Sequence, residues 1–236
     1  MKNNLSIIIP ILNEKNNILP LTTQIIKNLK KFKFEIIFVD DSSLDGSVKL
    51  LIELKKKFKF FKPIFRKKKR DLSQSCFDGI NKSKFENILV MDGDLQHNPK
   101  YIKNMIKLID NKDIDIVVGA RRLWAGKNKG LSEIRRFASV VLIYFFKIFN
   151  IKTNDPMSGF FLFKKKIFIK NKKFLFGKGF KILADILINS KENLIVKDIS
   201  INFDRRYESK SKMNYKVLLI IIYFYLRSIF KKLINF

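Results

Sequence analysis

Four short apolar runs, each closing on a polar cluster, do most to limit what this chain can become. Leu5–Pro10 runs into Asn13-Glu14, and Phe34–Val39 runs into Asp40-Asp41-Ser42-Ser43. Asn87–Met91 runs into Asp92-Gly93-Asp94-Leu95-Gln96-His97, and Ile114–Gly119 runs into Arg121. Short, β-branched-rich runs bounded by turn chemistry read as buried strands. Glu14–Lys31 carries Ile18, Leu21, Ile25, Ile26 and Leu29 at helical spacing. Leu44–Phe58, Leu72–Asn81 and Tyr101–Ile109 read as further helices, and Phe61–Phe65 as another short strand. This rhythm predicts an α/β domain, a mostly parallel sheet with helices on both faces. Ligands bind such sheets beyond the carboxyl ends of the strands, where all four polar clusters fall.

Asp92 and Asp94 sit two residues apart in extended chain, so their carboxylates point to one side. Such a pair can hold a hard divalent cation, which in turn clamps a diphosphate. An enzyme using a nucleotide-linked donor is the expectation. Transfer from such a donor needs the leaving group's charge stabilised by the cation and by fixed Arg and Lys side chains.

The formal net charge of +28 favours an anionic partner, although Lys, Asn, Ile and Phe abound everywhere, as compositional drift would also produce. The few arginines are mostly paired, at Arg121-Arg122, Arg135-Arg136 and Arg205-Arg206, where a planar fork suits phosphate. A single cysteine, Cys76, excludes an intrachain disulfide and reads as an inert buried thiol. No signal peptide or apolar stretch of about 18 residues is visible, so no ordinary membrane span is expected. Phe137–Ile151 and Val217–Leu226 are strongly apolar and flanked by cations. They suit helices lying in a bilayer interface, or packing into a core or dimer interface.

Taken together, the motifs resemble family 2 inverting glycosyltransferases. Pro10-Ile11-Leu12-Asn13-Glu14, Val39-Asp40-Asp41, Asp92 to His97 and Gly119-Ala120-Arg121 carry that likeness in order. Asp155-Pro156-Met157-Ser158-Gly159-Phe160-Phe161, Arg206 and Ser209 to Met213 narrow it to polyprenol-phosphate (dolichol-phosphate) mannosyl- or glucosyltransferases. Leu12, Ser43 and Ser209 stand where the family usually has Tyr, Gly and Gly.

The resemblance implies a Rossmann-like nucleotide-diphospho-sugar transferase (GT-A type) fold with amphipathic membrane-interface helices. It places Pro10, Glu14, Val39 and Asp41 around the donor's base and ribose, with Gly93 allowing close approach of the backbone. Asp92, Asp94 and Gln96 would hold Mg²⁺ or Mn²⁺. Arg121, Arg206 and Lys212 would neutralise the donor phosphates, and Arg135 and Ser139 would meet the acceptor lipid phosphate. The catalytic residues are then Asp92, Asp94 and Arg121.

A catalytic domain over residues 1–212, including an interface helix at about 135–150, and an apolar helix over 213–236 are expected. The expected donor is a nucleoside-diphosphate sugar, GDP-mannose or UDP-glucose, and the acceptor a polyprenyl monophosphate. That acceptor is already anionic, so no obligatory general base is expected. The place of work would be the cytoplasmic face of a membrane, peripheral or monotopic. A small membrane-protein partner would be needed if further membrane helices are required.

Other readings stay open. The acceptor could be a glycan or another hydroxyl, and a basic nucleic-acid-binding protein is the reading outside enzymes, although no nucleic-acid recognition signature supports it. His97 reads as a turn or supporting residue, and Asp155 as a base, an acceptor-loop organiser or a cap before Pro156. Asp185 faces either the site or solvent, and Trp124 is either a membrane or lid anchor or loop packing.

Overall fold

The computed structural model describes residues 4–121, 151–179, 182–202 and 223–230. The interface helix expected at 135–150, and Trp124, Arg135, Ser139, Arg206 and Lys212, lie outside the described residues.

The chain alternates as expected: β1 (Asn4–Ile11), α1 (Lys15–Leu29), β2 (Lys33–Asp40), α2 (Ser47–Lys57), β3 (Ile64–Phe65), α3 (Leu72–Lys82) and β4 (Asn87–Val90). A 3-10 turn at Pro99–Tyr101 leads into α4 (Ile102–Ile109), followed by β5 (Ile116–Arg121). Later in the chain come β6 (Phe161–Lys164), α5 (Lys165–Asn171), α6 (Ile182–Asn189), β7 (Val196–Ile201) and a helix over 223–230, here α7. The strands form one seven-stranded sheet in the order β3-β2-β1-β4-β6-β5-β7. β1 pairs in parallel with β2 and β4, whereas β6 runs antiparallel to both β4 and β5.

Period-two alternation divides the core. Ile7 and Ile9 face α1, α2 and α4 together with Leu21, Ile25, Leu51 and Met105. Ile8, Val39 and Val90 face α3, α5 and α6 together with Phe77, Ile80, Phe168 and Ile186. Helices thus bury both faces, which is why the strands read as continuous apolar runs. α3 approaches closely because it carries Gly79; a β-carbon there would stand 2.5 Å from Ile8 Cγ2.

The strand order positions the site. The chain steps outward from β1 to β3 and then returns to place β4 on the other side of β1. That reversal opens a crevice at the carboxyl ends of β1 and β4. Pro10 marks the opening, because the β1–β4 ladder ends at the Ile8–Val90 pair and Met91 N still donates to Ile8 O at 3.1 Å. Pro10, two residues on, turns its donor-less nitrogen toward the side where β4 has departed, so no ladder hydrogen bond is lost.

Candidate active site

Among the described residues, three other than glycine have left-handed backbone, Asn13 (φ 54°), Ser42 (φ 69°) and Leu95 (φ 66°). They follow β1, β2 and β4 respectively, so all three lie at the carboxyl edge. For Leu this conformation costs on the order of 1–2 kcal/mol, and such outliers cluster at functional sites.

The loops after β1 and β2 are laced together. Asn13 N donates to Ser43 Oγ and Leu44 N donates to Asn13 Oδ1, both at 2.8 Å. Lys15 N donates to Asp45 Oδ2 at 2.8 Å. Glu14, buried just ahead of α1, accepts Asn17 Nδ2 at 2.7 Å. The Val39 side chain is wholly buried beneath α3, 3.1 Å from the β-position of Gly79, so only its main chain remains for a ligand at this edge.

Asp41 is held from two sides. Arg66 Nη1 donates to its Oδ1, and Asp71 N donates to its Oδ2 at 2.8 Å. Arg66 is itself buried, donating through Nε to Asp78 Oδ2 at 2.9 Å and through Nη1 to Ser75 Oγ at 3.1 Å. Sequence reasoning passed over Arg66 by attending to paired arginines. Its signal was there: an arginine just beyond β3, followed by Lys67-Lys68-Lys69, in a chain whose usual cation is lysine.

After β4, Asp94 Oδ1 accepts Gln96 N at 3.1 Å, and the left-handed Leu95 between them closes this turn. Asp92 keeps 39% of its side chain exposed, while Asp94 and Gln96 are buried. His97 is buried, stacked on Phe160 with ring centroids 5.2 Å apart, and its Nδ1 accepts Asp92 N at 3.1 Å. An accepting Nδ1 fixes the neutral tautomer with the proton on Nε2, so His97 supports the backbone of Asp92.

Gly93 and Gly159 shape the same spot. A β-carbon on Gly93 would stand 2.7 Å from Ile11 Cγ2, and one on Gly159 would stand 2.8 Å from Asp92 Oδ2. The second keeps space open at the Asp92 carboxylate and was not foreseen as a site requirement.

Arg121, ending β5, meets Asp155 through both edges of its fork. Nε donates to Oδ2 at 2.6 Å and Nη2 to Oδ1 at 2.8 Å, with Arg121 N adding a third bond at 3.2 Å. Burial alone would lower the guanidinium pKa, but the charge and hydrogen bonds of Asp155, with the field of Asp92, raise it. Asp155 therefore organises Arg121. Cys76 is buried, and desolvation, reinforced by the charges of Asp92 and Asp71, pushes its thiol pKa far up, leaving it inert.

Oxygen donors at Asp92, Asp94 and Gln96 form the ligand class of Mg²⁺ and Mn²⁺, and the opening beside Gly159 leaves room at Asp92. Among the described residues no group of three or more His, Cys, Asp or Glu gathers at metal-holding distance. A cation here would complete its shell from substrate phosphate and water.

The Glycosyl transferase family 2 model matches residues 6–171, across β1 to α5 and all of these loops. The chain belongs to that family. It is 35% identical over 231 residues to the dolichol-phosphate mannosyltransferase of Pyrococcus furiosus, covering 96% of this chain and 62% of that protein. It is 31% identical over 223 residues to the dolichol-phosphate mannosyltransferase of Saccharomyces cerevisiae, covering 91% of this chain and 82% of that one. The chain thus spans about three fifths of the archaeal relative and about four fifths of the yeast one.

In fold, this family 2 glycosyltransferase matches the glucosyl-3-phosphoglycerate synthase of Mycobacterium tuberculosis. The TM-score is 0.71 at 13% identity, over 97% of this chain and 79% of that one. That structure is a complex with Mn²⁺, UDP and glucosyl-3-phosphoglycerate.

Proposed function

We propose that the protein transfers a hexose, mannose or glucose, from a nucleoside-diphosphate sugar to a polyprenyl monophosphate, with inversion, at a membrane surface. The observation that carries this reading is the convergence of Asp41, Asp92, Asp94 and the Arg121–Asp155 pair on one sheet edge, in a chain 31–35% identical to two dolichol-phosphate mannosyltransferases.

The chain's own residues divide the task. The laced loops after β1 and β2 carry Pro10, Glu14, Val39 and Asp41 to the base and ribose, with Arg66 and Asp71 N fixing the Asp41 carboxylate. Asp92, Asp94 and Gln96 would hold a divalent cation, Mg²⁺ or Mn²⁺, which when bound supplies positive charge to the diphosphate. Arg121, kept charged and immobile by Asp155, opposes the negative charge that grows on the leaving diphosphate. Lys212 and Arg206 are proposed to extend that positive wall, and Arg135 and Ser139 to receive the lipid phosphate. The acceptor oxygen is already deprotonated at neutral pH, so it attacks the anomeric carbon without a general base.

Membrane association is supported by α7, whose outer face exposes Tyr223, Leu226 and Phe230. Such a face suits a bilayer interface; no helix among the described residues is long and apolar enough to cross a bilayer. The deciding assay incubates the protein with labelled GDP-mannose or UDP-glucose, a divalent cation and polyprenyl phosphate. Label passing into the organic-extractable fraction, and abolished by chelator, is the expected result. A water-soluble glycoside as sole product would overturn the lipid acceptor.

A further inference from the structure

Helix α7 has an inner face that membrane docking does not explain. Phe224 and Ser228 are buried there, at 4% and 3% exposure, while Tyr223, Leu226 and Phe230 are all at least 59% exposed, Tyr223 also meeting Phe176 with ring centroids 5.8 Å apart. Phe224 packs with Met157 and Ala184, and its ring centroid lies 5.6 Å from that of Phe176. Arg227, one turn from Tyr223, sets its guanidinium 5.3 Å from the centroid of the Phe176 ring.

Two of the residues gripped by this face, Met157 and Phe176, belong to loops that reach the catalytic edge. Met157 sits between Asp155, which forks onto Arg121, and Gly159, which lies against the Asp92 carboxylate. Ser158, next to it, donates through Oγ to Gly119 O at 2.8 Å, tying the loop to β5.

Phe176 opens the other path. Its N–H and that of Gly177 donate to the two oxygens of buried Asp185, each at 2.8 Å. Gly177 O accepts Gln74 Nε2 at 2.6 Å, and Gly179 N donates to Asp71 Oδ2 at 2.9 Å. Asp71 in turn donates its N–H to Asp41. Two short runs of packed and hydrogen-bonded groups therefore join one helix face to Arg121 and Asp92 on one side and to Asp41 on the other.

We infer that α7 is a positioning element for the catalytic edge, acting through Phe224 and Arg227 on the loops of Met157 and Phe176. Misplacing a reacting group by about 1 Å can cost about a hundredfold in rate, so a helix that sets two such loops governs turnover without touching substrate. The inference rests on the transfer reaction proposed above, and its test separates the two.

Full-length wild type, Phe224→Ala, Phe224→Leu and Arg227→Gln are compared in detergent micelles with a short-chain polyprenyl phosphate, so that bilayer docking is not the variable. kcat, donor KM and the thermal unfolding midpoint are recorded for each. Phe224→Ala, folded at the assay temperature, is expected to lose about tenfold or more in kcat, with Phe224→Leu recovering most of the loss. Arg227→Gln is expected to raise donor KM through the Phe176–Asp71–Asp41 path. A folded Phe224→Ala enzyme with wild-type kcat overturns the inference, as does a loss that only tracks the folded fraction. If Phe224→Ala does not fold, wild-type kinetics in Arg227→Gln overturn it. A wild-type protein that turns over donor without making lipid product refutes the acceptor reading instead, and the same variants are then compared on donor turnover.

Discussion

At the amino edge of the sheet, buried Glu35 accepts Ser6 Oγ at 2.6 Å and Lys84 N at 2.5 Å, and faces Lys62 Nζ at 2.7 Å. The backbone beneath it is regular, lying within the β1–β2 ladder where Ser6 pairs with Glu35. At the carboxyl edge, Asp41, Asp92 and Asp94 sit on loops with left-handed Asn13, Ser42 and Leu95. Both edges bury acids, yet among the described residues only one does so with local strain. The amino edge uses its carboxylate to close a β-strand register; the carboxyl edge holds its carboxylates where the charge of the proposed cation would complete them. Strain that persists at one edge alone marks the functional one.

The comparison is broken most severely at Asp94. Replacing Asp94 with Asn should reduce sugar transfer by about a thousandfold, roughly 4 kcal/mol, because one ligand charge would be lost from the proposed cation site. The unfolding midpoint should hardly move; a transfer assay beside a melting curve reads both. Glu35→Gln should do the reverse, lowering stability while leaving kcat per folded molecule intact.

Arg66→Ala sits between these extremes. It strips buried Asp41 and partly buried Asp78 of their partner, which should cost about 3–5 kcal/mol in denaturant unfolding. Nucleoside-diphosphate affinity, measured by calorimetry on the folded variant, should fall with it. Unchanged affinity would detach Asp41 from donor binding.

Acid titration sharpens the contrast at the amino edge. Burial by itself would raise the Glu35 pKa, but hydrogen bonds from Lys62, Ser6 and Lys84 outweigh it and hold the carboxyl below its ordinary 4.5. A folded pKa below the unfolded one gives stability that is complete above the unfolded value and is lost as pH falls through the folded one. Between about pH 5 and pH 3, Glu35→Gln should therefore lose less stability than wild type. Equal slopes in pH-dependent unfolding would contradict this.

The smallest effect belongs to Leu95→Gly. Releasing a left-handed leucine returns about 1 kcal/mol, but Leu95 is also packed against the core and glycine loosens the unfolded chain, so stability should change by less than about 1 kcal/mol, while the loosened Asp94 turn should blunt the response in a metal titration. A variant stabilised by more than that would show that strain outweighs packing at this turn.

Much of this architecture was legible because β1, β2 and β4 are buried on both faces and end in polar clusters. The antiparallel insertion was not. Phe161–Lys164 is only four residues long, and its place is set by pairing with Asn87–Val90 far away in sequence. Val196–Ile201 hides for a different reason: among the described residues it pairs with β5 alone, and its exposed Lys197 and Ser200 interrupt the apolar pattern. Ile114–Gly119 was read two residues early, because Ile114 is a buried turn residue ahead of β5. Residue types drew attention to Asp92, Asp94 and Asp41, which the fold brings to one edge, whereas the roles of Arg66, Gly159 and Asp155 rest on contacts across 25 to 67 positions of chain, of which only the arginine after β3 left a local trace.

The central claim is a divalent cation held by Asp92 and Asp94 against a donor diphosphate. Crystals grown with Mn²⁺ and a nucleoside diphosphate, measured at the manganese absorption edge, test it directly. An anomalous peak within coordination distance of both carboxylates and the diphosphate is the expected result. A peak elsewhere, or a bound diphosphate with no metal between it and these two aspartates, would contradict the account.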